Sequence, residues 1–435
     1  MNTRKTEKVV NNHLFNKNIL ATAVAAVMFG AGAAQAATIE IGSSSVELAT
    51  DNSTSAYWIN NNGTLSITGA VSQFYGTIDG TNLSSSANGT LADSQRGNVT
   101  ISNLDALTLY GNVGATNGTG NFTLEANSQL IFADNMTTFR TTTLTLGTNT
   151  TLTTGNNASR GNNRASGDAL TMTSNITMRG SSTLNVGNGT TITGNIFGDS
   201  DGQGTLNING NFTTGGNIGS DSLPSSTAGE LAVITIGSGN TLTASHNMSA
   251  TSIYANGTIE ARSDSANITG AVKMGTAGKI YLNNSALNGG SGNAAKITGA
   301  IDGNEARGGN LYANGTWSTG GVIGATYGLD NIYLDYENTS STAQTYTFAH
   351  NVNATTITLG SSTSSKNATL LLSETSDGTN LVITGNIAGS GNYTSGSYDA
   401  RGILDIDSDT DVSGTIGTSD AYLAEIKIKD AMVLT

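Results

Sequence analysis

Cysteine is missing altogether, so disulfide frameworks, thiolate nucleophiles and cysteine-based zinc sites are excluded. Proline occurs once, at Pro224, and tryptophan twice. Charged residues are 11% of the 435, where globular domains carry about 25%. Outside residues 19–36 no apolar run is long enough to cross a bilayer as a helix. Basic charge is the scarcer sign, with 18 Lys and Arg against 31 Asp and Glu and a net charge of −13. A surface of that sign repels phosphate backbones, which argues against a nucleic-acid partner.

Glycine, threonine, asparagine and serine fill the space. The 56 glycines are about twice the usual share. Threonine, valine and isoleucine favour strands, and Gly and Asn favour tight turns. At the start, Arg4, Lys5, Lys8 and Lys17 precede the apolar run ILATAVAAVMFGAGAAQA (19–36), which ends in Ala34-Gln35-Ala36. A basic leader, a short Ala/Gly-rich run and a small-x-small end are the parts of a secretory signal peptide, with cleavage expected after Ala36. The remaining chain carries 14 basic and 30 acidic residues, a net charge of −16.

A sixteen-residue phrase returns along the chain: GTLNINGNFTTGGNIG (204–219), GNLYANGTWSTGGVIG (309–324) and GILDIDSDTDVSGTIG (402–417), with a degenerate copy GNVTISNLDALTLYGNVG (97–114). Leu206 matches Leu311 and Leu404, Phe212 matches Trp317, and Ile218 matches Ile323 and Ile416. ITG runs begin near 67, 192, 297 and 383, and HNMSATSI (246–253) reappears as HNVNATTI (350–357). Apolar letters at even spacings, punctuated by Gly, Asn and Asp, read as short strands with one buried face. Strands in a repeat of this kind predict a solenoid, each coil burying its apolar row on the next. With about 20–25 residues per coil, residues 37–435 make roughly 16–20 coils. The outward letters face water, which is why they drift between copies.

These ITGNI and GTL-x-I…GNIG repeats behind a signal peptide resemble the passenger region of Gram-negative autotransporters, the type V secretion proteins. They are similar above all to surface antigens and adhesins, rickettsial-type outer-membrane proteins among them. The resemblance covers residues 37–435. It implies a right-handed parallel β-helix displayed at the cell surface or released outside it. The partners it implies are an outer-membrane translocator barrel and a ligand on a host cell or other surface. Such a barrel is built of alternating strands with aromatic girdles. None appears before the chain reaches KIKDAMVLT in mid-repeat, so the barrel is expected in a further segment or a separate chain.

Four groups of residues invite a chemical reading. GDSDG (198–202) fits G-x-S-x-G with Ser200 as nucleophile, but that elbow needs a helix behind it, and here QGTLNI follows. It is also similar to the GDSG run of serine protease autotransporters, with Asp201 where glycine is needed. The one histidine upstream is His13, inside the leader, so a turn is the preferred reading. His246 and His350 occupy equivalent places about a hundred residues apart, as repeat-specific structural contacts. Asp405, Asp407, Asp409 and Asp411 alternate onto one face if the strand is regular. Calcium is weighed against a solvated strand face and the latter preferred, since no EF-hand spacing is present. Asn267-Ile268-Thr269 fits the N-glycosylation triplet, which chance supplies in such a composition. Tyr57, Trp58 and Trp317 are candidate ligand contacts, with Trp317 better placed in the core beside its counterpart Phe212.

No catalytic, cofactor or metal residue is therefore assigned, and no cofactor is expected. The expected function is adhesion by an exported, non-enzymatic rod. A surface coat acting by self-association is the alternative, and a polysaccharide-active enzyme the less favoured third.

Overall fold

The structure, a computed structural model, describes residues 38–435 except 42–44, 50–54, 60–62, 70, 81–95, 103–105, 156–168, 220–228, 263–265, 284–294, 306, 337–342, 361–367, 375–377, 391–392, 395–396, 399 and 419. The leader and His13 lie outside the described residues.

Among the described residues every regular element is a β-strand, and none is a helix. Pairing is parallel, apart from the hairpin Tyr393–Thr394 with Ser397–Tyr398 and two isolated bridges. One inward position shows how the chain climbs. Ile39 pairs with Tyr57, Tyr57 with Ile78, and the ladder continues through Val113, Phe139, Met172, Ile192 and Thr214. It goes on through Ala244, Ala261, Leu282, Ala313, Leu334 and Leu359 to Gly389. Fourteen steps cover 350 residues, an average of 25 per turn. The bridge from Ile387 to Ile416 adds a fifteenth step, so sixteen coils are stacked. Expectation and structure agree on a parallel β-helix, and at about 4.8 Å per turn the rod is about 70–75 Å long.

Each turn has three faces. The ladder just traced is face A. Face B carries Leu65, Val99, Phe122, Leu144, Ile176, Ile196, Ile218, Met248, Ile268 and Ile297, then Trp317, Tyr346, Leu370 and Leu404. Face C runs from Leu107 through Leu130, Leu152, Leu184, Leu206, Ile234, Ile253, Val272, Ile301, Ile323 and Val352 to Ile383 and Val412. The sheets do not close into a barrel. Strands such as Leu170–Met178 bend round a corner, the first part pairing on face A and the second on face B. The inward rows are buried and form one continuous core. Period-two alternation sends every second side chain inward, and stacking puts like on like.

Two side-chain devices hold the corners. Glycine occupies many of the tightest corners, such as Gly194 between Ile192 on one face and Ile196 on the next. A Cβ on Gly194 would stand 1.9 Å from the Ser174 carbonyl oxygen, and one on Gly270 or Gly385 1.8 Å from that of Ala250 or Ala354. Gly270, Gly299 and Gly385 also hold φ of 125°, 129° and 141°, open to glycine and strained for other residues. Asparagine supplies the second device. The Asn175 side-chain oxygen accepts from the Asn195 backbone N–H at 3.1 Å, and Asn195 does the same for Asn217 at 2.8 Å. Asn217, Asn247 and Asn267 continue the series to the N–H of Lys296. Asn267 is thus a rung of a side-chain ladder that joins successive turns.

The sequence repeat is out of step with the coil. In the degenerate copy Val99 lies on face B, Leu107 on C and Val113 on A. In the next, Leu206 lies on C, Phe212 on A and Ile218 on B. The third has Leu311 on A, Trp317 on B and Ile323 on C, and the fourth Leu404 on B, Val412 on C and Ile416 on A. Each copy is turned by one face from its predecessor. Counted through the pairings, thirteen faces separate Leu206 from Leu311, which is four turns and a third. Ten separate Leu311 from Leu404, which is three turns and a third. The glycine corners rotate with the repeat: Gly194 and Gly216 between A and B, Gly270, Gly299 and Gly321 between B and C, Gly385 and Gly414 between C and A.

Candidate functional site

Ser200 lies exposed in the turn between the strands Ile196–Gly198 and Thr205–Ile208. No helix follows it, so the nucleophile elbow is not formed. His246 precedes the face B position Met248, and His350 precedes the face C position Val352, thirteen faces further on. His350 Nδ1 stands 3.4 Å from Thr319 Oγ1. The two histidines share no site.

The four aspartates do alternate outward, over inward Leu404, Ile406, Ser408 and Thr410. They do not share one face, because the strands Ile403–Ile406 and Thr410–Ser413 lie on either side of a corner. The corner gives each of three carboxylates its own partner. Asp407 Oδ1 pairs with Lys429 Nζ at 2.5 Å, Asp409 Oδ1 accepts from the Val433 N–H at 2.9 Å, and Asp411 accepts from the Thr435 hydroxyl. Lys429 is in turn held above its ordinary pKa by the hydrogen bond and charge of Asp407. Among the described residues no three His, Asp or Glu side chains converge as a metal site would require.

Of the aromatic candidates, Tyr57 points into the core against Phe74, with ring centroids 5.6 Å apart, so it is not a surface contact. Its neighbour Trp58 points outward and is 37% exposed, as strand alternation demands. Trp317 is core, edge-on to Phe348. Phe212 is core as well, one face away round the coil.

The most organised outward surface was not singled out from sequence. Tyr281, Tyr312 and Tyr333 are paired in register on three successive turns of face A. Their rings stack at 4.4 and 4.8 Å, with planes 9° and 8° apart. Tyr336 leans across both Tyr312 and Tyr333, at 5.1 and 5.4 Å and about 60° to them, and is itself 44% exposed. Burial, then the neighbouring phenols, pushes the Tyr312 phenol well above its usual range. One turn before Tyr281 the row continues to Glu260, which is clamped by Arg262 and accepts from Thr243 Oγ1 at 3.3 Å. Beyond Tyr333 it continues to Thr358. The signal lay in the spacing: Tyr281, Tyr312 and Tyr333 are 31 and 21 residues apart, whole turns of this coil, but only the register shows those intervals to be equivalent.

Half-buried Tyr281 and Tyr333 and the exposed, tilted Tyr336 offer ring edges and hydroxyls outward, while Tyr312 is buried between them and supports the stack. This is a rigid binding patch of large amphipathic side chains, with little conformational entropy left to lose. It holds neither a nucleophile with a base nor an acid–base pair. No protein-family profile matches the chain, and no curated protein or solved structure matches it.

Proposed function

We propose that this chain is the exported β-helical passenger of a cell-surface protein and works by adhesion. It binds a host-cell or surface ligand through side chains on the outside of a stiff rod. Secretion by the leader, and an outer-membrane translocator barrel as partner, belong to the same proposal. The observation that carries it is the tyrosine cluster at Tyr281, Tyr312, Tyr333 and Tyr336, preorganised on an otherwise polar outer face. A rod that keeps its shape loses little entropy when a ligand docks on its side.

The test is adhesion of the purified chain to cultured cells and to coated surfaces, beside Tyr336→Ser and Tyr281→Ser. The proposal expects adhesion that falls in both variants while circular dichroism and melting stay unchanged. Absence of adhesion, or cleavage of acidic glycans by the protein, contradicts it.

A coat-forming reading has one observation of its own. Thr100, Thr123, Thr145 and Thr177 form an outward row on four consecutive turns of face B, flanked by Asn98, Asn121, Thr143 and Asn175. Such a flat polar strip is a surface on which two rods can lie side by side. Concentration-dependent ordered assembly in sedimentation, with no adhesion, favours that reading.

A further inference from the structure

A trench of about 600 Å³ runs along face C near the other end of the rod. Its floor is made of outward side chains on consecutive turns: Thr108, Ile131 and Thr153 in one row, Gln129 and Thr151 in the next. The strand ends form its wall, with Tyr110, Asp134 and Asn135. Tyr110 is stacked on Tyr75 at 4.3 Å with ring planes 10° apart. Tyr75 is 46% exposed and is held by its hydroxyl, which donates to Gln73 Oε1 at 2.8 Å.

The chemistry of this lining narrows the ligand step by step. Asp134 is the one charged side chain among the lining residues, on a chain of net charge −13, so phosphates, uronates and nucleic acids are repelled. Strand backbone on the floor is already paired with the turns on both sides, so a peptide finds no free edge to join as an added strand. Hydroxyls and amides outnumber the single isoleucine on the floor, which disfavours a lipid chain. What remains is an uncharged polyol with one apolar side. A pyranose has an apolar C–H face for the tyrosine rings and a rim of hydroxyls for Gln129, the threonines, Asp134 and Asn135. The lining rows run over three consecutive turns, room for more than one sugar ring.

We infer that the trench over Thr108, Ile131 and Thr153, walled by Tyr110, binds a neutral oligosaccharide. It is a site separate from the tyrosine cluster, on a different face and several turns away, and it stands whether or not the rod is an adhesin.

Isothermal titration of the whole chain with maltohexaose, cellohexaose, mannohexaose and chitohexaose, beside hexagalacturonate as the anionic probe, tests it. The inference expects at least one neutral hexasaccharide to bind saturably at one site. Affinity then falls about tenfold or more in Tyr110→Ala and in Gln129→Ala, and is unmoved in Tyr336→Ser. Gln129 is exposed, so Gln129→Ala keeps the test open even where Tyr110→Ala unfolds the turn. No binding by any neutral probe, equal binding in the Gln129→Ala variant, or preference for hexagalacturonate overturns the inference.

Discussion

Polar groups inside this rod need partners, and Tyr346 shows how one is accommodated. It is fully buried on face B, where its hydroxyl donates to Asp335 Oδ1 at 3.2 Å and accepts from the Gly315 N–H at 3.3 Å. Tyr346→Phe strips a partner from both groups while keeping the ring, and the expected loss is about 1–3 kcal/mol in chemical denaturation. The same residue sets an alkaline limit. Burial, then the Asp335 charge, pushes its phenol well above 10. The folded state therefore holds this proton more tightly than the unfolded chain, whose tyrosine titrates near 10. That contribution is fully present below about pH 10 and is lost as pH rises toward the folded value. A melting-temperature series from pH 8 to 12 checks it: stability falls above about pH 10, less steeply in Tyr346→Phe. Tyr57 and Trp58 are both candidate surface contacts in the sequence, and the structure contradicts that for Tyr57, which is core. An aromatic residue in a two-residue period is assigned inside or outside only by the phase of its strand, and in AYWI both phases hold an aromatic.

At the scale of strands and corners the sequence was more legible. Even spacing of Leu, Ile and Val marked the inward row, and Gly and Asn marked the turns. Hidden was the work those turn residues do, because their partners lie 20 to 30 residues away. Asn195 and Asn217 look like ordinary loop asparagines until the next turn places a backbone N–H against each side-chain oxygen. The glycines of the later ITG runs, Gly194, Gly299 and Gly385, read as turn glycines, yet their reason is the carbonyl one turn below; Gly69 of the first run meets nothing within 4 Å. Gly270→Ala and Gly385→Ala, where the new Cβ would meet a carbonyl oxygen at 1.8 Å in a positive-φ backbone, are each expected to cost about 2 kcal/mol or more. Gly239→Ala is the control: its φ is +78° but nothing lies within 4 Å, so only the conformational cost of about 1 kcal/mol remains. Equal losses at the three positions in denaturant titrations would contradict the stacked-corner account.

For the whole molecule, coil length and number were readable, and the mean of 25 residues per turn meets the upper end of the expected range. The rotation of the repeat was not readable, because it depends on how many faces fit between two copies. Thirteen faces in one interval and ten in the next both leave a remainder of one. A residue and its repeat equivalent are therefore shown on different sides of the rod, and a feature multiplied by repetition is spread around the axis rather than lined up along it. The single surfaces that matter here, the tyrosine cluster on face A and the trench on face C, consist of residues aligned by turn and not by repeat. Thr213 and Ser318 follow the matched residues Phe212 and Trp317, yet the register places Thr213 in the outward row of Tyr312, four turns below it. Ser318 lies on face B. The chain has no cysteine of its own, so spin labels can be placed on Thr213→Cys with Tyr312→Cys and on Thr213→Cys with Ser318→Cys. Pulsed dipolar spectroscopy should return a backbone separation of about 19 Å for the first pair and a longer one for the second. A separation for 213 and 318 equal to or shorter than that for 213 and 312 would mean that the repeat advances by whole turns, and would contradict the rotated solenoid.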